Sequence, residues 1–305
     1  MAAWWSRNRQ RVVQLVGTSL AIVLLVYLLR EDGWNEIVAA MRQIQIVNLF
    51  WVALLFLVSR IAVAARWHVL LKSAGVNIRF KDSMMLTFMG LFASNFLPTT
   101  IGGDVLRLAG AMRMGYDRAV CLASIAADRL IGMFGMFMVA PIGLFYSWNI
   151  LTSPSLSVSL MAFMEKTLAF LKRTFSTFSI WLKKPDALLL SLVFTWIHML
   201  CWFGAIYLFL NDLGNPVSYW MIAGLWSLTY FVTQIPISIN GYGLQELSFT
   251  FLFSHVAGVS PAISLTVSVL IRAFTVLAGL PGALFLPSAL AAMTDRQKSI
   301  TDIAL

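Results

Sequence analysis

Apolar runs with few or no charges recur along the whole chain. Two shorter runs, at 84–97 and 247–256, suit half-helices or re-entrant segments better than full crossings. Longer runs are long enough, or nearly so, to cross about 30 Å of hydrocarbon as helices: they cover residues 12–29, 46–65, 119–148, 187–210, 217–235 and 262–286. The pattern therefore predicts an all-α integral membrane protein, a polytopic bundle of about six to eight membrane segments.

Composition supports a membrane protein and excludes an ordinary soluble domain. Of the 305 residues 60% are hydrophobic and 11% are charged, and the mean hydropathy is +0.83. The net charge of +9 is expected at cytoplasmic span ends and anionic headgroups, so it does not indicate a nucleic-acid partner. We expect one membrane domain over 1–290 and a short polar tail over 291–305, and no cofactor.

Charge placement indicates a partial topology. Residues 160–178 carry charges on one helical face and aromatic or aliphatic side chains on the other, which predicts an interfacial helix between halves at 46–150 and 187–286. Arginines before the first run predict a cytoplasmic N-terminus, and we expect the membrane to be the plasma membrane. The next cytoplasmic loop is indicated by Arg66, Lys72, Arg79 and Lys81. Whether 119–148 breaks at Pro141 stays open.

A proline and paired glycines interrupt the chain directly after the first short run. Non-helical backbone at membrane depth is tolerated only where protein buries it or where it lines a wet cavity. Hydroxyls and freed amides there can satisfy one another or bind an anionic group, and Asp104 and Arg107 share a helical face. The candidate binding residues of this segment are Asn95, Pro98, Thr99, Thr100, Gly102, Gly103, Asp104 and Arg107.

A second, similar interruption follows the 217–235 run. When Pro98 is aligned with Pro236, Thr100 falls on Ser238 and Gly103 on Gly241. Its candidate binding residues are Ser238, Asn240, Gly241, Gly243 and Glu246. Paired interrupted segments at matching positions indicate a transport site at the interface of an internal repeat, whereas kinked helices that serve only packing are the alternative.

Each interruption is followed by an arginine within an apolar run. These are Arg129, next to Asp128, and Arg272. Arginine at the bilayer centre costs from about 2.5 kcal/mol upward, so both should face the bundle interior and have counter-charges. Asp128 points about 100° away from Arg129 on a helix, so we expect Asp104 or Glu246 to serve instead. An ion pair that only locks helices is the alternative role.

The motifs at Asn95 to Arg107, Ser124 to Gly132, Pro236 to Glu246 and Arg272 resemble the flippase-like membrane domain of the lysylphosphatidylglycerol synthetase family. The resemblance covers nearly the whole chain and implies translocation of a phospholipid or lipid-linked intermediate. It implies that Arg107, Arg129 and Arg272 attract a lipid phosphate. It also implies that Asp104, Asp128 and Glu246 balance charge or bind a cationic headgroup. Gln245 stands where the family often has a basic residue.

The resemblance is to the membrane domain of that family and not to its synthetase domain. Any aminoacyl transfer would therefore need a separate lipid-modifying enzyme as partner. A non-transporting lipid-binding scaffold remains an alternative. An intramembrane hydrolase or transferase is less well supported, because the three histidines have no metal-ligand spacing and no Gly-x-Ser-x-Gly or His-Glu-x-x-His motif occurs.

Overall fold

The computed structural model describes residue 39 and residues 42–96, 102–148, 184–235 and 238–285, and every regular element in them is helical. The predicted first span, the 160–178 helix, the 291–305 tail and the residues Pro98, Thr99 and Thr100 lie outside the described residues. Eight α-helices occur within the described ranges: α1 Ile46–Ser73, α2 Phe80–Phe96, α3 Gly102–Arg113, α4 Arg118–Tyr146, α5 Pro185–Asp212, α6 Tyr219–Thr233, α7 Leu244–His255 and α8 Pro261–Gly279.

Four helical stretches in this part of the chain are long and apolar enough to cross a membrane. They are α1, α4, α5 and Pro261–Phe285, which joins α8 to the 3₁₀ turn Leu280–Phe285. Helix α4 runs through Pro141, so the long apolar segment is one helix. Helix α6 has 15 residues, about 22 Å at 1.5 Å per residue, and is shorter than the full span predicted for 217–235.

Left-handed glycines end two of the long helices. After α1 the Val76 amide donates to the Leu71 carbonyl and Gly75 has φ +91°. After α5 the Asn215 amide donates to the Leu210 carbonyl and Gly214 has φ +67°. This six-to-one bond across a left-handed residue is the usual helix stop, and it satisfies carbonyls that would otherwise be bare.

The chain forms two compact units, each assembled from separate stretches. The first unit comprises Met1–Phe56, Met136–Leu168 and Met199–Phe274, and the second comprises Leu57–Gly135, Ala169–His198 and Thr275–Leu305. The predicted halves at 46–150 and 187–286 stay a prediction, as do the re-entrant character of the short segments and the internal repeat.

Stacked aromatic side chains fill the core of the first unit. Trp202 stacks on Trp226 with ring centroids 4.8 Å apart, and Phe56 lies 5.2 Å from Trp202. Phe249 and Phe253, one turn apart on α7, stack at 3.9 Å and are fully buried. Aromatic pairs of this kind add packing energy beyond the area they bury.

In the second unit, aliphatic side chains surround Trp67. Its buried neighbours come from α1, α2, α3 and α4, and they include Leu71, Leu86, Ala111 and Ile125. The Leu280–Phe285 turn packs against α2, where Gly282 faces the Phe88 carbonyl. This core places the starts of α3 and α4 beside α1, where the charged residues lie.

The contact between α4 and α6 depends on two glycines of the first unit. A Cβ on Gly224 would lie 2.7 Å from the Gly143 Cα, and one on Gly143 would lie 2.9 Å from the Leu228 Cγ. Small residues let membrane helices approach closely, so Gly224→Ala should lower the free energy of unfolding by about 1–3 kcal/mol through overpacking.

Gly204→Ala is the matched control, because a Cβ on this helical glycine would meet only Leu55 at 3.4 Å. It should be neutral or stabilising by up to about 1 kcal/mol. Thermal unfolding in detergent, followed by tryptophan fluorescence, measures both variants. Equal melting temperatures for the two would contradict the assigned helix contact.

Candidate functional site

A buried carboxylate lies at the centre of the charged residues in the second unit. Asp128 on α4 accepts a hydrogen bond from Arg66 Nε at 2.7 Å, and from Arg107 Nη1 and Nη2 at 3.2 and 3.3 Å. Arg66 Nη1 also donates to the Thr195 hydroxyl at 3.2 Å. Helices α1, α3, α4 and α5 therefore meet at one charge-assisted network.

A second carboxylate extends this network towards Arg129. Asp104 accepts from Arg107 Nη1 at 3.2 Å and from Arg129 Nε. The order of the network is Arg66, Asp128, Arg107, Asp104, Arg129, with three guanidinium groups against two carboxylates. If all five are ionised, the cluster carries one excess positive charge. We call these five residues the arginine cluster.

Two glycines leave space for the Arg107 side chain, and a tryptophan ring packs against its guanidinium. A Cβ on Gly90 of α2 would lie 2.7 Å from the Arg107 Cγ and 2.8 Å from the Gly103 carbonyl oxygen, so both glycines are needed for α2 and α3 to approach. The guanidinium lies over the Trp67 ring, 4.2 Å from its centroid, and Trp67 Nε1 donates to Ser124 at 3.1 Å. A cation over a tryptophan face is stabilised further by the ring quadrupole.

Burial differs sharply along the arginine cluster. The side chains of Arg66, Arg107 and Asp128 are 8%, 7% and 4% exposed, whereas that of Arg129 is 41% exposed. Asp104 lies in the first turn of α3, where the helix dipole favours a negative charge. The cluster is therefore closed at Asp128 and accessible at Arg129.

The charged residues of the first unit form a separate pair. Arg272 Nε donates to Glu246 Oε1 at 2.8 Å, and Arg272 Nη2 donates to the Gly241 carbonyl at 3.1 Å. Glu246 Oε2 accepts from the Gly243 amide at 2.8 Å, at the start of α7. Arg272 also lies 4.7 Å from the Tyr242 ring centroid. The ion pair thus also bonds two backbone groups near the start of α7, the Gly241 carbonyl and the Gly243 amide.

The interruption itself has positive φ at three of four consecutive positions of the first unit. Asn240 has φ +48°, Gly241 has φ +71° and Gly243 has φ +75°. Glycine adopts this region without steric cost, and asparagine is the non-glycine residue that tolerates it best. The Asn-Gly-x-Gly sequence is therefore what allows the chain to turn into α7.

Several sequence-predicted residues come together as expected. Asp104 pairs with Arg129, Glu246 pairs with Arg272, and Asp104 and Arg107 form an i, i+3 pair. Asn95 lies instead beside Gly279, whose added Cβ would be 3.1 Å from Asn95 Nδ2. Ser238 is buried, and its hydroxyl has no hydrogen-bond partner among the described residues.

The assignment of Arg66 to a cytoplasmic loop is wrong. Helix α1 continues to Ser73, and Arg66 lies inside it, paired with Asp128. Gly132, at the end of the Ser124 to Gly132 motif, leaves room for this side chain, because a Cβ on Gly132 would come 3.1 Å from Arg66 Nη1. The available signal was Asp128, an intramembrane acid for which the sequence analysis named no partner.

Within the described ranges no group of three histidine, cysteine, aspartate or glutamate side chains could hold a metal ion. Cys121 and Cys201 are both free and buried.

These features define a multi-pass α-helical membrane protein with buried, paired charged residues. The chain matches the lysylphosphatidylglycerol synthase transmembrane region over residues 14–282 and belongs to that family. No synthetase domain is found in these 305 residues. A UPF0104 membrane protein of Pyrococcus horikoshii is 22% identical over 139 residues, which are 45% of this chain and 40% of that relative's length.

Removing one buried carboxylate tests the arginine cluster. Asp128→Asn leaves Arg66 and Arg107 short of a counter-charge, and it should cost about 3–5 kcal/mol of stability. Asp82→Asn is the control, because its partner Arg79 is 84% exposed, so its melting temperature should equal that of the parent. A melting temperature for Asp128→Asn equal to that of the control would refute the buried network.

Proposed function

We propose that this protein translocates the headgroup of a phospholipid or lipid-linked intermediate across the plasma membrane. The family is thought to be involved in lipid flipping. The observation that carries the proposal is the arginine cluster, with three guanidiniums over two carboxylates and Arg129 41% exposed at one end.

The chemistry of the cluster suits a lipid phosphate. A phosphodiester carries one negative charge, which equals the formal positive excess of the cluster. Arginine presents a planar fork of donors that matches phosphate geometry, and it is less strongly hydrated than lysine. An approaching phosphate would meet Arg129 first, since this is the most exposed of the five side chains. The acyl chains would remain in the lipid.

The fixed charges lower the barrier for a headgroup at depth. An isolated ion in hydrocarbon is costly, whereas a site with prepaired charges and an excess cation replaces part of the lost hydration. Arg107 and Arg66 are held by Asp104, Asp128 and Thr195, so they would not need to reorganise when a phosphate arrives. We assign Arg66 a positioning role.

The wider arrangement is part of the same proposal. The N-terminus is cytoplasmic, the two interrupted segments are re-entrant, and the halves are an internal repeat. Arg272 and Glu246 would serve the second interruption as Arg129 and Asp104 serve the first. Membrane lipids are the partners, and a separate enzyme would supply any lipid modification.

A non-transporting lipid-binding scaffold is the second candidate. It is favoured by the mutual pairing of all five charged side chains in the arginine cluster, which would lock helices whether or not a headgroup crosses. Such a scaffold needs the same accessible arginine, but no path between leaflets.

Leaflet exchange distinguishes the two candidates. The purified protein is reconstituted in liposomes with headgroup-labelled anionic, zwitterionic or polyprenyl-linked lipids. Exchange of one class should rise above that of protein-free liposomes, and Arg129→Ala and Glu246→Gln should reduce its rate at least about tenfold, a barrier change of about 1.4 kcal/mol. Arg79→Ala, which removes an arginine that is 84% exposed, should keep the parent rate.

Melting temperatures of the variants separate loss of function from loss of fold. Lipid binding that depends on Arg129 without any exchange would replace translocation by the scaffold function. Exchange that Arg129→Ala and Arg79→Ala leave equally fast would contradict a path through the arginine cluster.

A further inference from the structure

Three buried hydroxyl groups on helices α7 and α8 of the first unit lack the hydrogen bonds that membrane helices normally provide. They belong to Thr250 on α7 and to Ser264 and Ser268 on α8, which are 5%, 0% and 0% exposed. Their oxygens have no partner among the residues that the structure describes. A serine or threonine in a membrane helix usually donates to a carbonyl one turn earlier.

Other hydroxyls on the same two helices do follow that rule. Ser248 on α7 donates to the Leu244 carbonyl at 2.6 Å, and Thr266 on α8 donates to the Ala262 carbonyl at 2.8 Å. The backbone of both helices is therefore able to accept such bonds. The hydroxyls of Thr250, Ser264 and Ser268 are exceptions, because they make no such bond.

The exceptions lie in line with the ion pair of this unit. Ser264 and Ser268 are eight and four residues before Arg272, so the three share one face of α8. Thr250 is four residues after Glu246 and shares its face of α7. Only residues 256–260 separate α7 from α8, and the Arg272–Glu246 bond joins the two faces.

These positions form a polar stripe about 12 Å long on α8, counted from Ser264 to Arg272 at 1.5 Å per residue. Thr250 lies one turn after Glu246 on α7, as Ser268 lies one turn before Arg272 on α8. Ser238 Oγ and Gln245 Nε2, which are close in sequence to the interruption and to Glu246, are also buried without a partner among the described residues.

The charge of the stripe distinguishes it from the arginine cluster. Its one cation and one anion are paired 1:1, so it has no formal excess charge for a phosphate or an amine. A hydroxyl both donates and accepts, and a row of hydroxyls matches a ligand that carries hydroxyls itself. An acyl chain would leave these groups buried and unbonded, which is unfavourable.

We propose that the stripe of Thr250, Ser264 and Ser268, ending at Glu246–Arg272, binds an uncharged polyol, the glycerol or sugar portion of a lipid headgroup. The inference rests on the proposed function in taking this polyol to be part of a lipid. It assigns the first unit to the hydroxyls of a headgroup, independently of where the phosphate binds.

Pairs of lipids that differ only in hydroxyls test the proposal. Native mass spectrometry of the full chain in detergent compares phosphatidylglycerol with phosphatidylethanol, which has the same charge and no headgroup hydroxyl. It also compares glucosyl-diacylglycerol with diacylglycerol. The parent should prefer the hydroxylated member of at least one pair by about tenfold, because a site built for hydroxyls rejects the analogue that lacks them. A preference within the phosphatidylglycerol pair would identify the polyol as glycerol, and a preference within the glucosyl-diacylglycerol pair would identify it as a sugar.

Paired variants locate the preference. The double variant Thr250→Val/Ser268→Ala should bind both members of the responding pair within about twofold of each other, since it removes two of the hydroxyls. Ser248→Ala/Thr266→Val removes two hydroxyls that bond their own helices, and it should keep the parent preference. Unchanged melting temperatures establish that both variants are folded.

The outcomes separate this inference from the proposed function. If the parent binds both members of both pairs equally, the inference is overturned, even if lipid exchange is observed. That result would mean that the stripe only holds water. Loss of preference in both double variants alike would also overturn it. A preference that only Thr250→Val/Ser268→Ala abolishes supports it, even if no lipid crosses the bilayer.

Discussion

The carboxylate of Asp128, held between Arg66 and Arg107, is the interaction on which the second unit depends. A charge in an apolar interior is tolerated only with a partner of opposite sign and with hydrogen bonds to its remaining atoms. Asp128 meets both conditions with contacts of 2.7, 3.2 and 3.3 Å. Because its partners come from different helices, satisfying this one group fixes α1, α3 and α4 against one another.

The first unit meets the same constraint with fewer charges. Arg272 is neutralised by Glu246 and also donates to the Gly241 carbonyl of the interruption. One side chain thus provides both a counter-charge for Glu246 and a hydrogen bond for a backbone carbonyl. The two sites therefore differ in kind. The arginine cluster has a positive excess and an accessible end at Arg129, whereas the Glu246–Arg272 pair is neutral and adjoins a row of hydroxyls.

Much of this could be predicted from the sequence because membrane helices and intramembrane charges are subject to strong constraints. The apolar runs located α1, α4, α5 and α8. The need for counter-charges pointed to Asp104 and Glu246, and the structure pairs Asp104 with Arg129 and Glu246 with Arg272. Arg66 was misplaced because positive charges near the end of a run are typical of cytoplasmic loops. Its partner Asp128 lies 62 positions away in the sequence, and no local sequence pattern predicts a contact over that separation.

Other features depended on side-chain geometry. The close approach at Gly143 and Gly224 involves two helices whose pairing the hydropathy does not specify. The missing hydrogen bonds of the Ser264 and Ser268 hydroxyls stand out beside Thr266, which donates to its own helix in the common way. The most direct test of the central claim is the position of a lipid phosphate in an experimental structure of the protein in lipid nanodiscs. The account predicts phosphate density within hydrogen-bonding distance of the Arg129 guanidinium; a headgroup resolved only at sites remote from the arginine cluster would contradict it.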